Sequence, residues 1–166
     1  MTTHITQEWV NFFITGAGVS GALAGLVMVS ISVNLQSILK HPNLPAYAGA
    51  TISTLVLVLV SSMAGLIDQG IVMLGIEISF FGLCAWLLQI WFAWISIIAS
   101  IQRLRPFLET ASHIGSGQLQ TLPFIIGGIL LFAGHTYGLY WISAGVLAVL
   151  IFSVLNAWVL LVEILR

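Results

Sequence analysis

The sequence predicts an all-α integral membrane bundle of five transmembrane helices, and three observations carry that prediction. Hydrophobic residues make up 60% of the 166-residue chain and charged residues 5%, with a mean hydropathy of +1.14. A soluble domain carries roughly a quarter charged residues. No Asp, Glu, Lys or Arg lies between Glu8 and Lys40, Lys40 and Asp68, Glu77 and Arg103, or Glu109 and Glu163. Uncharged runs of about 18 residues or more read as membrane spans, because a charge in hydrocarbon is costly. Finally, the only basic side chains are Lys40, Arg103, Arg105 and Arg166, and five crossings put all four on one side. By the positive-inside rule that side is the cytoplasm, with the N-terminus out and the C-terminus in.

Span 1 is expected over 9–39. It opens on Trp9, Phe12 and Phe13, an interfacial aromatic group, and breaks at Pro42 and Pro45. Span 2, at 46–67, is closed by Asp68-Gln69-Gly70, and span 3, at 71–101, stops at Gln102-Arg103-Leu104-Arg105-Pro106. Spans 1 and 3 exceed the roughly 20 residues a bilayer core needs, so they tilt or project beyond it. The segment 107–120 reads as the longest polar loop. Its Gly115-Ser116-Gly117 suggests a mobile turn, and Glu109 and His113 suggest exposure.

The remaining stretch, 121–166, is too long for one crossing: at about 1.5 Å per residue it would reach more than twice the hydrocarbon thickness. A hairpin at Gly134-His135-Thr136-Tyr137-Gly138 divides it into span 4, 119–134, and span 5, 139–164. Span 4 is short and holds Pro123 and the pair Gly127-Gly128, so a re-entrant arm, leaving four crossings, is the alternative. Four crossings would place Arg166 opposite the other cations, so charge favours five. Trp9, Tyr137, Tyr140 and Trp141 then form the outer aromatic belt, with Tyr47, Phe107 and Trp158 towards the inner one.

The spans and short turns leave no room for a separate soluble domain, so 1–166 reads as one transmembrane domain. The opening residues lack the basic region of a secretory signal, so the first apolar stretch is expected to remain as a span. No lipidation motif is visible. A net charge of −1 excludes a polybasic patch for lipid or nucleic acid. The single cysteine, Cys84, excludes an intrachain disulfide and a CxxC site. No internal repeat stands out, and five spans argue against a simple inverted-repeat transporter.

Within this frame each helix has a small or polar seam. Gly18, Gly21, Ala22, Gly25 and Ser32 share a narrow stripe of span 1 at helical spacing. The stripe includes a GxxxG, Gly21 to Gly25, of the kind that lets helix backbones approach closely. Helix packing is the expected use, and glycines lining a narrow pore are the alternative. Span 2 repeats Tyr47, Thr54, Ser61 and Asp68 at intervals of seven; span 3 does the same with Gly75, Gly82, Gln89, Ser96 and Arg103. Span 5 sets Gly145, Asn156 and Glu163 on one face.

Polar groups in hydrocarbon are expensive unless paired. Thr54, Ser61, Gln89, Ser96 and Asn156 are therefore the candidate polar path, facing partners within the protomer, another subunit or water. Gln89 and Asn156 are expected to lie deepest. Glu77, about two turns inside span 3, and Asp68 at the outer edge are the candidate ionisable groups. They would serve ion binding or proton relay, or simply reach headgroup water. Glu163 can pair with Arg166 near the boundary.

No Ser/His/Asp set, HExxH or phosphate loop is present. His4, His41, His113 and His135 are scattered, without ligand spacing for haem, chlorophyll or zinc. A non-enzyme with no cofactor and no metal is expected.

Several segments look familiar: Trp9-Val10-Asn11-Phe12-Phe13, the glycine-rich run 16–26, Val33-Asn34-Leu35, Leu122-Pro123-Phe124, Gly138-Leu139-Tyr140-Trp141 and the tail 156–166. They resemble a widespread group of small bacterial membrane proteins of largely uncharacterised activity. Some members of that group are labelled modulators of a membrane-bound AAA protease. The resemblance covers both ends of the chain and implies a multi-pass protein of the bacterial inner membrane. It brings no catalytic residue with it.

The expectation that follows is a non-enzymatic homo-oligomer in the lipid bilayer, forming an ion- or small-solute-conducting path. The alternative is an accessory or regulatory subunit that docks on another, larger membrane protein complex through its small-residue helix face.

Overall fold

Long uncharged runs of Leu, Ile, Val, Ala and Phe leave the backbone no water to bond. Such a chain closes its hydrogen bonds inside helices. The computed structural model of the protein describes residues 6–35, 38, 44–101 and 107–162. Among these are five long helices: α1 (Gln7–Val33), α2 (Leu44–Leu66), α3 (Ile71–Ile101), α4 (Phe107–Phe132) and α5 (Gly138–Val162). Each contains a stretch long and apolar enough to cross a bilayer. The protein is a multi-pass helical membrane protein.

Successive helices run antiparallel. Gly65 of α2 meets Phe13 of α1, and Gly49 of α2 meets Phe92 of α3; Gly82 of α3 meets Phe124 and Ile125 of α4, and Gly145 of α5 meets Phe124. The five follow one another round the bundle, α5 returns to α1, and α2 touches every other helix. Half of the α2 span is buried, against 22% of the α1 span, so α2 is the centre and α1 the most lipid-exposed element. Leu55, Leu57 and Val58 of α2 pack with Phe13, Leu74, Ile78, Phe124, Ile142 and Val149 into one core.

Aromatic side chains frame the bundle. Trp9 of α1 meets Tyr140 of α5 edge-on, with centroids 5.2 Å apart, and Tyr137 and Trp141 are exposed at the same end. Trp158 is exposed at the other end of α5. Trp141 and Trp158 are about 26 Å apart along the helix, close to the roughly 30 Å of a hydrocarbon core. Trp91 and Trp94 of α3, beside Phe92, are also exposed and belong to the second belt. The sequence reading had missed them. Lys40, Arg103, Arg105 and Arg166, on which the orientation was read, lie outside the described residues, as does Glu163, the partner expected for Arg166. The Phe107 side chain does too.

The largest correction concerns α4. The segment 107–120, expected as a loop with a mobile Gly-Ser-Gly turn, is helical, and α4 is a continuous helix of 26 residues. The re-entrant arm is therefore excluded. Gly117 is there for close approach: a Cβ added to it would lie 2.9 Å from Oε1 of Gln89. One residue on, Gln118 Oε1 accepts a 2.6 Å bond from Trp86 Nε1. Polar residues that looked like a loop are thus the ones that dock this half of α4 on α3.

Pro123 sits inside the same helix without ending it. Its ring packs where Gly145 of α5 leaves room, since a Cβ at Gly145 would be 3.2 Å from the Pro123 Cβ.

The turn expected at 134–138 is present, and α4 ends where it predicts. Gly134 takes a left-handed φ of 83°. Its N–H donates to Leu131 O at 2.9 Å, and the His135 N–H donates to Leu130 O at 2.9 Å. This is a Schellman cap, which closes the carbonyls that a helix end would otherwise leave open.

Candidate functional site

Polar side chains of α2, α3 and α5 meet on one stretch of α2. Thr51 Oγ1 donates to Tyr47 O in its own helix at 2.9 Å and accepts a 2.9 Å bond from Asn156 Nδ2 of α5. One residue earlier, Ala50 O accepts from Gln89 Nε2 of α3 at 3.0 Å and from the Ser53 hydroxyl at 2.8 Å. Thr54 Oγ1 donates back to Thr51 O at 3.0 Å. Gln89, with its oxygen against Gly117, also reaches α4. A single plate of amides and hydroxyls therefore ties α2, α3 and α5 together and abuts α4.

Three of the expected path residues, Thr54, Gln89 and Asn156, come together in this plate. Thr51, which anchors it, was not singled out from sequence, although it lies one turn from Tyr47 and on the buried side of the helix. Asn156 is half a turn from the belt residue Trp158, and Gln89 is bonded beside Gly49, whose level on α3 is Phe92. The cluster thus lies towards the Trp158 end of the bundle.

Ser61 lies deeper in α2, fully buried and apart from this plate. Its hydroxyl, like those of Ser62, Ser79 and Ser153, has no partner among the described residues. These four contrast with Ser20, Ser30, Thr54 and Thr121, which donate to a carbonyl one turn back. The Ser96 side chain lies outside the described residues.

The ionisable candidates are at the opposite end. Gln69, in the turn between α2 and α3, donates through Nε2 to Glu77 Oε2 at 2.8 Å and to Ala64 O at 3.1 Å. Glu77 is partly buried and Asp68 is exposed. The pair flanks a stapled hairpin and does not reach the amide plate. Among the described residues, no three His, Cys, Asp or Glu side chains come together as a metal would need.

The helix-packing set lies where the protomer does not use it. Gly18, Gly21, Ala22 and Gly25 are all exposed, and a Cβ built on any of the three glycines meets nothing within 4 Å. α1 packs through another face: Phe13, Gly16, Ser20, Val27 and Ser30 are its buried residues. Gly16, which lay outside the proposed set, makes the close approach, with its would-be Cβ 2.8 Å from Ser62 Oγ. The seven-residue step from Phe13 to Ser20 to Val27 was the available signal.

The tightest glycine contacts are elsewhere again. Gly128 of α4 sits against Gly75 and Ser79 of α3, and Gly127 against Gly138 and Ile142 of α5. No protein-family model matches the chain, and comparison with curated proteins and with solved structures yields no match.

Proposed function

We propose that the protein is a non-enzymatic subunit of the bacterial cytoplasmic membrane that works by self-association, α1 of one copy packing on α1 of another. The observation that carries this is the exposed glycine face: Gly18, Gly21 and Gly25 stand clear of every neighbour. Helices associate in lipid by close van der Waals packing, and small residues make the approach possible. A face of this kind, left open by the protomer, fits a second copy.

Orientation rests on topology and sequence together. Val33, Leu44, Ile101, Phe107 and Val162 end or begin their helices at the same face of the bundle, and the segments leaving that face carry Lys40, Arg103, Arg105 and Arg166. The positive-inside rule supports a cytoplasmic assignment for it.

A conducting path between copies along α2 and α3 has less support. Thr54, Gln89 and Asn156, its expected lining, are bonded to partners inside one protomer. Conduction is therefore best sought along the α1 contact, where Asn11, Thr15 and Ser32 are exposed.

The test is the native mass of the chain extracted in mild detergent, for the wild type and Gly21→Leu. A multiple of 17.9 kDa that falls to the single chain in the variant is the expected result. A wild-type mass of one chain overturns the proposal. A second protein co-purifying through the same face would replace it with the accessory-subunit reading. Ion flux into liposomes that is lost in Gly21→Leu together with assembly would assign conduction to the oligomer.

A further inference from the structure

A cleft of about 360 Å³ opens between α2 and α3. It runs from Gly49 and Phe92 at one end to Val60 and Phe81 at the other, with Ser53, Val56, Cys84 and Leu88 between them. We propose that this cleft holds one acyl chain of a bilayer phospholipid. The inference is independent of the α1 association.

Direction is the first argument. The lining residues recur every three or four positions over 49–60 on α2 and 81–92 on α3, so the cleft lies parallel to both helices. It therefore points along the membrane normal, as lipid chains do. A side chain from another helix would enter such a slot crosswise and fill only a part of it.

Length and depth give the second argument. The slot extends for about 17 Å of helix, against about 15 Å for half of a hydrocarbon core. Its level comes from the amide plate. Gly49 is two residues from Thr51, Thr51 is bonded to Asn156, and Asn156 is two residues from the belt residue Trp158. The cleft thus starts at an aromatic belt and ends near the midplane. A chain whose headgroup sits at that belt spans it once.

Chemistry agrees with both. The two lining residues that carry a polar atom on the side chain are Ser53 and Cys84. The Ser53 hydroxyl is already donated to Ala50 O. A dry apolar cleft does not hold water. Val56, Cys84 and Leu88 are exposed at its rim, so its mouth faces lipid.

The test uses the full chain in phosphatidylcholine vesicles doped with a phosphatidylcholine that carries a photoactivatable diazirine in its acyl chain. After irradiation, adducts are mapped by peptide mass spectrometry. Enrichment at Phe81, Cys84 and Leu88 by at least about tenfold over Leu147 and Ile151 is expected, the ratio set by a preference of about 1.4 kcal/mol. Leu147 and Ile151 are exposed residues of α5, away from the α1 glycine face, and report ordinary lipid contact.

Two cleft-filling variants, Val56→Phe and Cys84→Phe, alter rim positions that are already exposed. Each is expected to abolish the enrichment at Phe81 and Leu88 without moving the thermal unfolding midpoint. Labelling spread evenly over α1, α3 and α5 would overturn the proposal. So would enrichment that survives both variants, or wild-type Cys84 that forms a disulfide between copies and shows the slot occupied by a second protomer.

Discussion

The glycines of α1 and the glycines of α4 look alike in sequence and behave oppositely in the bundle. Gly127 and Gly128 are pressed between two helices, with Gly138 and Ile142 on one side and Gly75 and Ser79 on the other. Gly18, Gly21 and Gly25 touch nothing. The α1 set has the recognised GxxxG spacing, whereas the α4 pair reads as a weak point in a short helix. Small residues mark where a backbone can be approached, but the approaching partner depends on which side of the helix faces the core. That side is set by large residues such as Phe13 and Phe124, both buried.

The sharpest way to break the contrast is to enlarge one residue of each kind. Gly128→Val places a side chain onto Ser79 Oγ and onto the α3 backbone at Ser79 N and Gly75 O, and the backbone atoms cannot move aside. A loss of about 3 kcal/mol or more is expected, at the upper end of overpacking penalties, with poor recovery of folded protein. Gly21→Leu is expected to change unfolding free energy by less than about 0.5 kcal/mol, as for a surface site. If Gly21→Leu unfolds the protomer, the distinction between the two faces collapses.

Intermediate effects are expected at the amide plate. Asn156→Ala removes one interhelical bond to Thr51, whose hydroxyl keeps its bond to Tyr47 O. Gln89→Leu removes a bond to Ala50 O, which still accepts from Ser53. In each case the surviving partner remains satisfied. Reversible unfolding in detergent should therefore show a loss of about 0.6–1.7 kcal/mol, the range found for such bonds in membranes. The double variant is expected to depart from the sum by about 0.5 kcal/mol or more, because both bonds end on adjacent residues of one hydrogen-bonded plate.

Helix positions were legible in the sequence because charge and Pro/Gly punctuation coincide with the membrane boundary. The 71–101 span and its helix begin at the same residue, Ile71, since Asp68-Gln69-Gly70 bound it there. α4 was read too short for a physical reason. Its first half carries Glu109, Ser116, Gly117 and Gln118, a composition that describes a loop unless a second helix supplies partners. Trp86 and Gln89 supply them for Gln118 and Gly117, from some thirty positions away in the chain (about eight turns of helix). Such pairings are invisible to periodicity.

The candidate site was half legible on the same grounds. Amides in hydrocarbon must find partners, which singled out Gln89 and Asn156. The partners, Ala50 O and Thr51, depend on which helices are neighbours.

The smallest effects are expected at the outer hairpin, where the ionisable reading of Glu77 meets a structural one. Gln69 bridges Ala64 O and Glu77 Oε2, so it ties the end of α2 to the second turn of α3. Gln69→Ala removes both bonds and should cost about 1 kcal/mol, with faster amide hydrogen exchange confined to 64–71. Glu77→Gln keeps an acceptor oxygen facing Gln69 while removing the charge. If the carboxylate serves only this staple, stability and exchange should match the wild type within about 0.5 kcal/mol. An unchanged hairpin combined with lost ion flux in liposomes would instead make the charge itself the working part. The pair of variants separates the two roles, because only Gln69→Ala disturbs the turn and only Glu77→Gln removes the charge.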